Sequence, residues 1–289
     1  MSGAGGRVAI VTGATAGIGL YTALGLAQQG MRIVMIGRDR ARTERARRLV
    51  AERSGSGAVE TALADFASLA AVRRLAETLL SAHERIDILV NNAGLISPRL
   101  QLSQDGYELT IAVNHLAPFL LTNLLLDRLR QSAPARIVTV ASQAHRGARL
   151  DPGTMTRPQD WTALSAYGSS KLCNVLFTRA LARRLDPRQV TAACLHPGVV
   201  ATAIGDRAGR MTAFGWRLIK PFLITPERGA ATSLFLATVT DPTPFHGAYV
   251  IDQRIAPPDS TARDDRLAEA LWAESARLVG LPASAAAGA

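Results

Sequence analysis

Tyr167 and Lys171 stand four residues apart in Ser165 to Leu185, a long apolar segment of helical character, so both side chains leave one helix face and reach one bound ligand. A phenol with an ordinary pKa of about 10 is a poor base at neutral pH, and a neighbouring ammonium favours its phenolate form. Such a pair can pass a proton to or from a substrate oxygen. Ser142, which closes the run Val140-Ala141-Ser142, can donate a hydrogen bond to the same oxygen as negative charge develops on it.

These groups need a scaffold that brings distant segments together. Short Val/Ile-rich runs alternate with longer Ala/Leu/Arg segments of helical period, the pattern of repeated strand-helix-strand units. The expected strands are Arg7 to Thr12, Met31 to Ile36, Ala58 to Ala64, Ile86 to Asn91, Ala135 to Ala141, Val190 to His196 and Gly247 to Ile251. The expected fold class is α/β, a doubly wound Rossmann seven-stranded parallel sheet with helices on both faces. Asp39 to Arg53 and Ser68 to His83 carry the apolar spacing of helices lying on a sheet. No linker interrupts the chain, so 1–281 is read as one domain and 282–289 as a disordered tail. The glycines and bulky apolar residues of 201–223 predict a substrate lid or, as the alternative, a contact between copies.

The first strand runs into Thr12-Gly13-Ala14-Thr15-Ala16-Gly17-Ile18-Gly19 and then an apolar helix. Glycines here permit a tight turn and close backbone approach to a pyrophosphate, and the helix N-terminus offers free N–H groups and a positive dipole end. The second strand ends Ile36-Gly37-Arg38-Asp39. Gly37 brings no carboxylate for ribose hydroxyls, whereas Arg38 is placed to fork onto a 2′-phosphate, which points to NADP(H). Asp39 is expected to cap the next helix; pointing inward instead, it would favour NAD.

Taken in order, these motifs resemble the short-chain dehydrogenase/reductase family, with its TGxxxGIG turn and YxxxK pair. The resemblance runs from about Val8 to at least Asp252. It implies an NADP(H)-dependent oxidoreductase acting on a carbonyl or alcohol, with Asn114, Ser142, Tyr167 and Lys171 as the catalytic set. Asn114 would hold a water linking Lys171 to solvent. The same resemblance implies cofactor contacts at Gly13, Thr15, Ala16, Gly17, Ile18 and Gly19, at Arg38, at Asp65 and Phe66, and at Asn92, Ala93 and Gly94 of Asn91-Asn92-Ala93-Gly94. It adds Tyr167, Lys171, Pro197, Gly198, Val200 and Thr202, the last clasping the nicotinamide carboxamide. The strings Ala141-Ser142-Gln143-Ala144-His145 and Tyr167 to Thr178 look like the retinol dehydrogenase and WW-domain-containing oxidoreductase branch. A bulky apolar aldehyde or ketone is therefore the expected substrate: retinal-like, steroid-like or polyketide-derived. Related enzymes use the same pair to reduce carbon-carbon double bonds, and a non-catalytic NADP(H) sensor is the rival outside catalysis. Members commonly pair through long helices, so a homo-oligomer is expected.

Composition narrows the alternatives. With 48% hydrophobic and 19% charged residues, the chain has apolar surface for a packed core. Two cysteines, Cys173 and Cys194, lie in apolar runs and read as core, and the five histidines lack metal-ligand spacing, so no metal is expected. The net charge of +10 comes from scattered arginines with only 5% aromatics, which argues against a nucleic-acid surface. The N-terminus lacks a secretory pattern and no uninterrupted apolar run approaches a membrane span, so a cytoplasmic protein is expected.

Overall fold

Strands β1 (Val8–Thr12), β4 (Ile88–Asn91), β5 (Ala135–Val140) and β6 (Val190–His196) are buried at every residue. That is why their sequences are near-continuous apolar runs rather than alternating ones: both faces of a parallel sheet are covered by helices. The computed structural model describes residues 6–198 and 224–282. The expected lid at 201–223 and residues 283–289 of the expected tail lie outside the described residues, as do Val200 and Thr202.

With β2 (Arg32–Gly37), β3 (Val59–Leu63), β7 (Tyr249–Ile251) and β8 (Arg254–Ile255), the described residues form one sheet in the order β3-β2-β1-β4-β5-β6-β7-β8. The doubly wound α/β fold expected from sequence is present, with eight strands in place of seven. The additional strand, β8, pairs antiparallel with β7 through Val250–Ile255 and Ile251–Arg254. Its two residues are too short for a periodic signal, and its turn is made by Asp252 (φ 48°) and Gln253 (φ 64°), without the glycine that usually marks such a hairpin. Strand order reverses between β1 and β4, so the crevice that binds ligands in open α/β sheets lies at their carboxyl ends.

Two helical layers cover the sheet. One holds α1 (Gly17–Gln28), α2 (Arg40–Ser54) and, later in the chain, α6 (Pro226–Thr238). The other holds α3 (Leu69–Ala82), α4 (Leu109–Gln131), α5 (Ala163–Ala182) and α7 (Asp265–Leu278). Contrary to the expectation from sequence, helix α4 is long and apolar enough to cross a membrane, but 83% of its apolar window is buried inside the protein. Its apolarity is that of a core helix, flanked by α3, α5 and the sheet. Cys173 and Cys194 are free and buried, and burial pushes the Cys194 thiol up to about 12.

Helix α7 closes this layer from outside. Trp272, 2% exposed, sets its ring 4.9 Å from Phe119 of α4 and 5.9 Å from Phe177 of α5, and those two rings are 5.4 Å apart. Arg184 lies 4.2 Å over the outer face of the indole, and Asp265 and Glu269 tie α7 to Arg179, Arg183 and Arg184. The aromatic cluster, rather than these exposed ion pairs, holds the helix. Trp272→Ala is therefore expected to lower unfolding free energy by about 3–5 kcal/mol; a urea midpoint unchanged from the parent would contradict this packing role.

Candidate active site

The glycine turn and the loop after β4 are joined by a hydroxyl. Thr12 Oγ1, at the end of β1, accepts the backbone N–H groups of Asn92 (3.0 Å) and Ala93 (2.9 Å) and donates to the Val90 carbonyl (3.2 Å). In return Asn92 Nδ2 donates to the carbonyls of Thr12 (2.8 Å) and Gly13 (3.2 Å). Gly13 sits at φ +64°, and a Cβ there would come within 2.8 Å of Ala93 Cα; one on Gly19 would strike the Asn92 amide and lie 2.5 Å from the Gly13 carbonyl. The two motifs recognised separately in sequence are thus one contiguous backbone cradle. Thr12, whose role no local pattern marks, is its pin.

Helix α1 rises from this cradle. Its N-cap, Ala16, makes no side-chain hydrogen bond, whereas Asp39, Ser68, Glu108, Thr162, Thr225 and Asp264 cap the other described α-helices with side chains. The first N–H groups of α1 are thereby left for an external acceptor, and an anion such as a pyrophosphate fits them. Thr15, Gly17 and Ile18 line the same turn, half-buried.

The end of β2 is equally specific. A Cβ on Gly37 would collide with Thr43 Oγ1 and approach Thr15 Cγ2 to 2.6 Å, so a side chain there would require Thr43 and Thr15 to move. Asp39 caps α2, accepting from Arg42 N at 2.8 Å, as expected. Arg38 is exposed and makes no hydrogen bond or ion pair with the described residues. With Leu63, Ala64, Asp65, Ser68 and Arg74 it lines an open cavity of about 490 Å³. Asp65 turns its carboxylate to the Ala67 N–H (3.0 Å), and Ser68, not Asp65, caps α3. Phe66 is 7% exposed with its side chain in the core, leaving its backbone for any ligand contact. No spacing pattern marked Arg74.

At the other end of the crevice, the first turns of α5 pack on the turn carrying Ser142. A Cβ on Gly168 would lie 2.9 Å from the Ala144 carbonyl, so the residue beside Tyr167 must be small for that approach. The Ser142 side chain stands beside the Tyr167 phenol. Burial holds the Tyr167 phenol above its ordinary pKa, with the neighbouring Ser142 hydroxyl opposing the rise. Tyr167 is therefore a neutral phenol at pH 7.

Lys171 is 4% exposed. Its ammonium donates to the Val140 carbonyl (3.0 Å) and lies 5.5 Å from the Tyr167 ring centre, and Gly94 leaves room beside it. Burial pulls its pKa down to about 8. Asn114 sits in a π-helical turn of α4, Ala112–Leu116, a widening often found at functional sites. Its amide clasps Leu95, accepting from the Leu95 N–H (2.8 Å) and donating to the Leu95 carbonyl (2.9 Å), and donates to Ser170 Oγ (3.0 Å), which donates to the Tyr167 carbonyl (2.7 Å). The fold therefore brings Asn114, Ser142, Tyr167, Lys171 and Gly94 together. Pro197 and Gly198 follow β6 on the same side of the sheet, where Gly198 at φ +87° lies against the Ile224 side chain.

Residues 7–212 match the family model described as short chain dehydrogenase. Human (Homo sapiens) retinol dehydrogenase 13 is 40% identical over 288 residues, covering 96% of this chain and 86% of that protein. Retinol dehydrogenase 12 of Mus musculus is 38% identical, covering 96% and 87%. The crystal structure of an uncharacterized protein from Mycobacterium Paratuberculosis superimposes with a TM-score of 0.77 at 32% identity, covering 96% of this chain and 94% of that one. The Pseudomonas aeruginosa RhlG/NADP active-site complex gives 0.69 at 27% identity, with coverage of 89% and 97%.

Lys171 supplies a stability test. Its pKa falls from 10.5 unfolded to about 8 folded. Below about pH 8 both states are protonated and the cost of burying the charge is fully present; it disappears as pH rises from 8 to 10.5. Lys171→Met is expected to raise the unfolding free energy at pH 7 by about 1–3 kcal/mol, with the gain gone above pH 10.5. Thermal melts across that range read it, and a destabilised variant at pH 7 would show that the ammonium is better solvated than its burial implies.

Proposed function

This chain belongs to the short chain dehydrogenase family, an oxidoreductase family, and on that premise we propose that it is an NADP(H)-dependent enzyme moving hydride between the nicotinamide and a carbonyl or alcohol carbon. The observation that carries this reading is the arrangement around Tyr167: a phenol beside the Ser142 side chain, with the Lys171 ammonium 5.5 Å from its ring. When bound, the cofactor supplies or accepts the hydride. Everything else is done by side chains. Ser142 donates a hydrogen bond to the substrate oxygen, orienting it and stabilising the charge that develops there. Tyr167 gives that oxygen its proton during reduction and takes it back during oxidation. Lys171 favours the tyrosinate left behind, and Asn114 holds the backbone of Leu95 and the first turns of α5 in place beside it.

NADP(H) is preferred over NAD(H) because Gly37 brings no carboxylate and is crowded by Thr43 and Thr15, while the Arg38 guanidinium has no partner among the described residues. A bulky apolar substrate is proposed on similarity to two retinol dehydrogenases, whose named substrate is an apolar polyene alcohol. The net charge of +10 adds long-range attraction for the phosphates.

Arg38→Ala is expected to weaken NADPH roughly 10- to 100-fold, with NADH hardly affected. Fluorescence titration with each dinucleotide decides it, and equal weakening of both would remove the phosphate contact. Tyr167→Phe is expected to lower kcat for reduction of a bulky aldehyde by about 100-fold or more while NADPH still binds. Retained turnover would rule out the phenol as proton donor.

A further inference from the structure

Two histidines that the proposed reaction does not use grip the turn that presents Ser142. Residues Gln143–His145 form a short 3-10 turn after β5. His145 is fully buried: its Nδ1–H donates back to the Ser142 carbonyl (2.6 Å), and its Nε2 accepts the N–H of Asp259 (3.1 Å), far along the chain beyond β8. His196, at the end of β6 and 6% exposed, accepts the N–H of Gln143 on its Nδ1 (3.3 Å). Within the turn the Ala144 N–H donates to Ser142 Oγ (3.2 Å), which leaves the hydroxyl proton free to aim outward.

We propose that His145 and His196 are positioning residues, two neutral imidazoles that hold the Ser142 turn in the register that brings its hydroxyl to Tyr167. The inference rests on the roles given above to Ser142 and Tyr167. Its chemistry is specific to imidazole. At His145 one ring must donate on one nitrogen and accept on the other, which only the neutral Nδ1–H form does. A phenylalanine would keep the edge-on packing against Tyr249, 4.8 Å away, and lose both bonds. At His196 the requirement is an acceptor at the Nδ1 position, which an asparagine Oδ1 also provides. Burial lowers the pKa of both rings, opposed at His145 by its bond to Ser142 and at His196 by the charge of Asp252, so both remain acceptors at neutral pH. The Ala144 carbonyl presses against Gly168, next to Tyr167, so a shift of the turn transfers directly to the distance between the two hydroxyls.

The test is a set of variants assayed for NADPH-dependent reduction of whichever panel aldehyde the parent turns over fastest, with NADPH affinity and circular dichroism as controls. His145→Phe and His196→Phe should each lower kcat about 10- to 100-fold with NADPH affinity unchanged, and His196→Asn should recover most of the loss. Because the histidines act through Ser142, the double variant Ser142→Ala/His145→Phe should be no slower than Ser142→Ala alone. Should either folded phenylalanine variant keep the parental kcat, or the losses in the double variant multiply, the positioning role is overturned while the proposed reaction stands. Should His145→Phe fail to fold, the His196 pair decides by the same criteria. If Ser142→Ala itself leaves kcat unchanged, the proposed role of Ser142 and this inference fall together.

Discussion

A buried positive charge sets the terms for the rest of the molecule. Lys171 is enclosed at 4% exposure, and among the described residues its ammonium has no carboxylate partner, only the Val140 carbonyl and the face of the Tyr167 ring. Removing an ammonium from water costs several kcal/mol even after relaxation. A carboxylate would offset that cost but would also neutralise the field at Tyr167, so neutral dipoles suit a proton-transfer site better. The surroundings suit this choice: β5 ends where its carbonyl meets the ammonium, Gly94 leaves room beside it, and α4 widens into a π turn in which Asn114 reaches Leu95 and Ser170.

The cofactor end obeys a complementary constraint, that backbone must come close to backbone. Gly13 and Gly19 accept the conformational cost of glycine because any Cβ would break the contact with Asn92 and Ala93. Thr12 and the Asn92 amide then satisfy the polar groups that this close approach buries. Leaving α1 without a side-chain cap, where the other described α-helices have one, reserves its N–H groups for an anion.

On the opposite layer, α7 adds a brace that reaches the same centre from behind. Ser275 meets His115 Nε2 at 2.7 Å inside the core, and His115 is the neighbour of Asn114 in the π turn. Burial drives His115 down to about 3, so the ring is neutral and the brace carries no charge. By seating Trp272 on Phe119 and Phe177, α7 also occupies outward faces of α4 and α5.

Local signals carried far in this chain. Apolar runs alternating with helical periods specified the parallel sheet, because strands covered on both faces have no other composition available. The glycine turn, Arg38, and the Tyr167/Lys171 spacing were readable because their geometry is local: a turn, a strand end, one helix face. Asp39 as a cap belongs to the same class. What depended on contacts distant in sequence was not legible. Thr12 gains its role only when β1 and β4 lie side by side, Arg74 only when α3 flanks β3, and His145 only when Asp259 returns past β8 to meet it. The protonation of Tyr167 belongs here too, since spacing places a charge near a phenol but only packing decides how much water is lost around it. The sheet, the glycine turn and the spacing of Tyr167 and Lys171 were local enough to be legible from residues alone; their burial and their supports came from the fold, because desolvation and hydrogen bonds across long loops exist only once the chain has closed on itself.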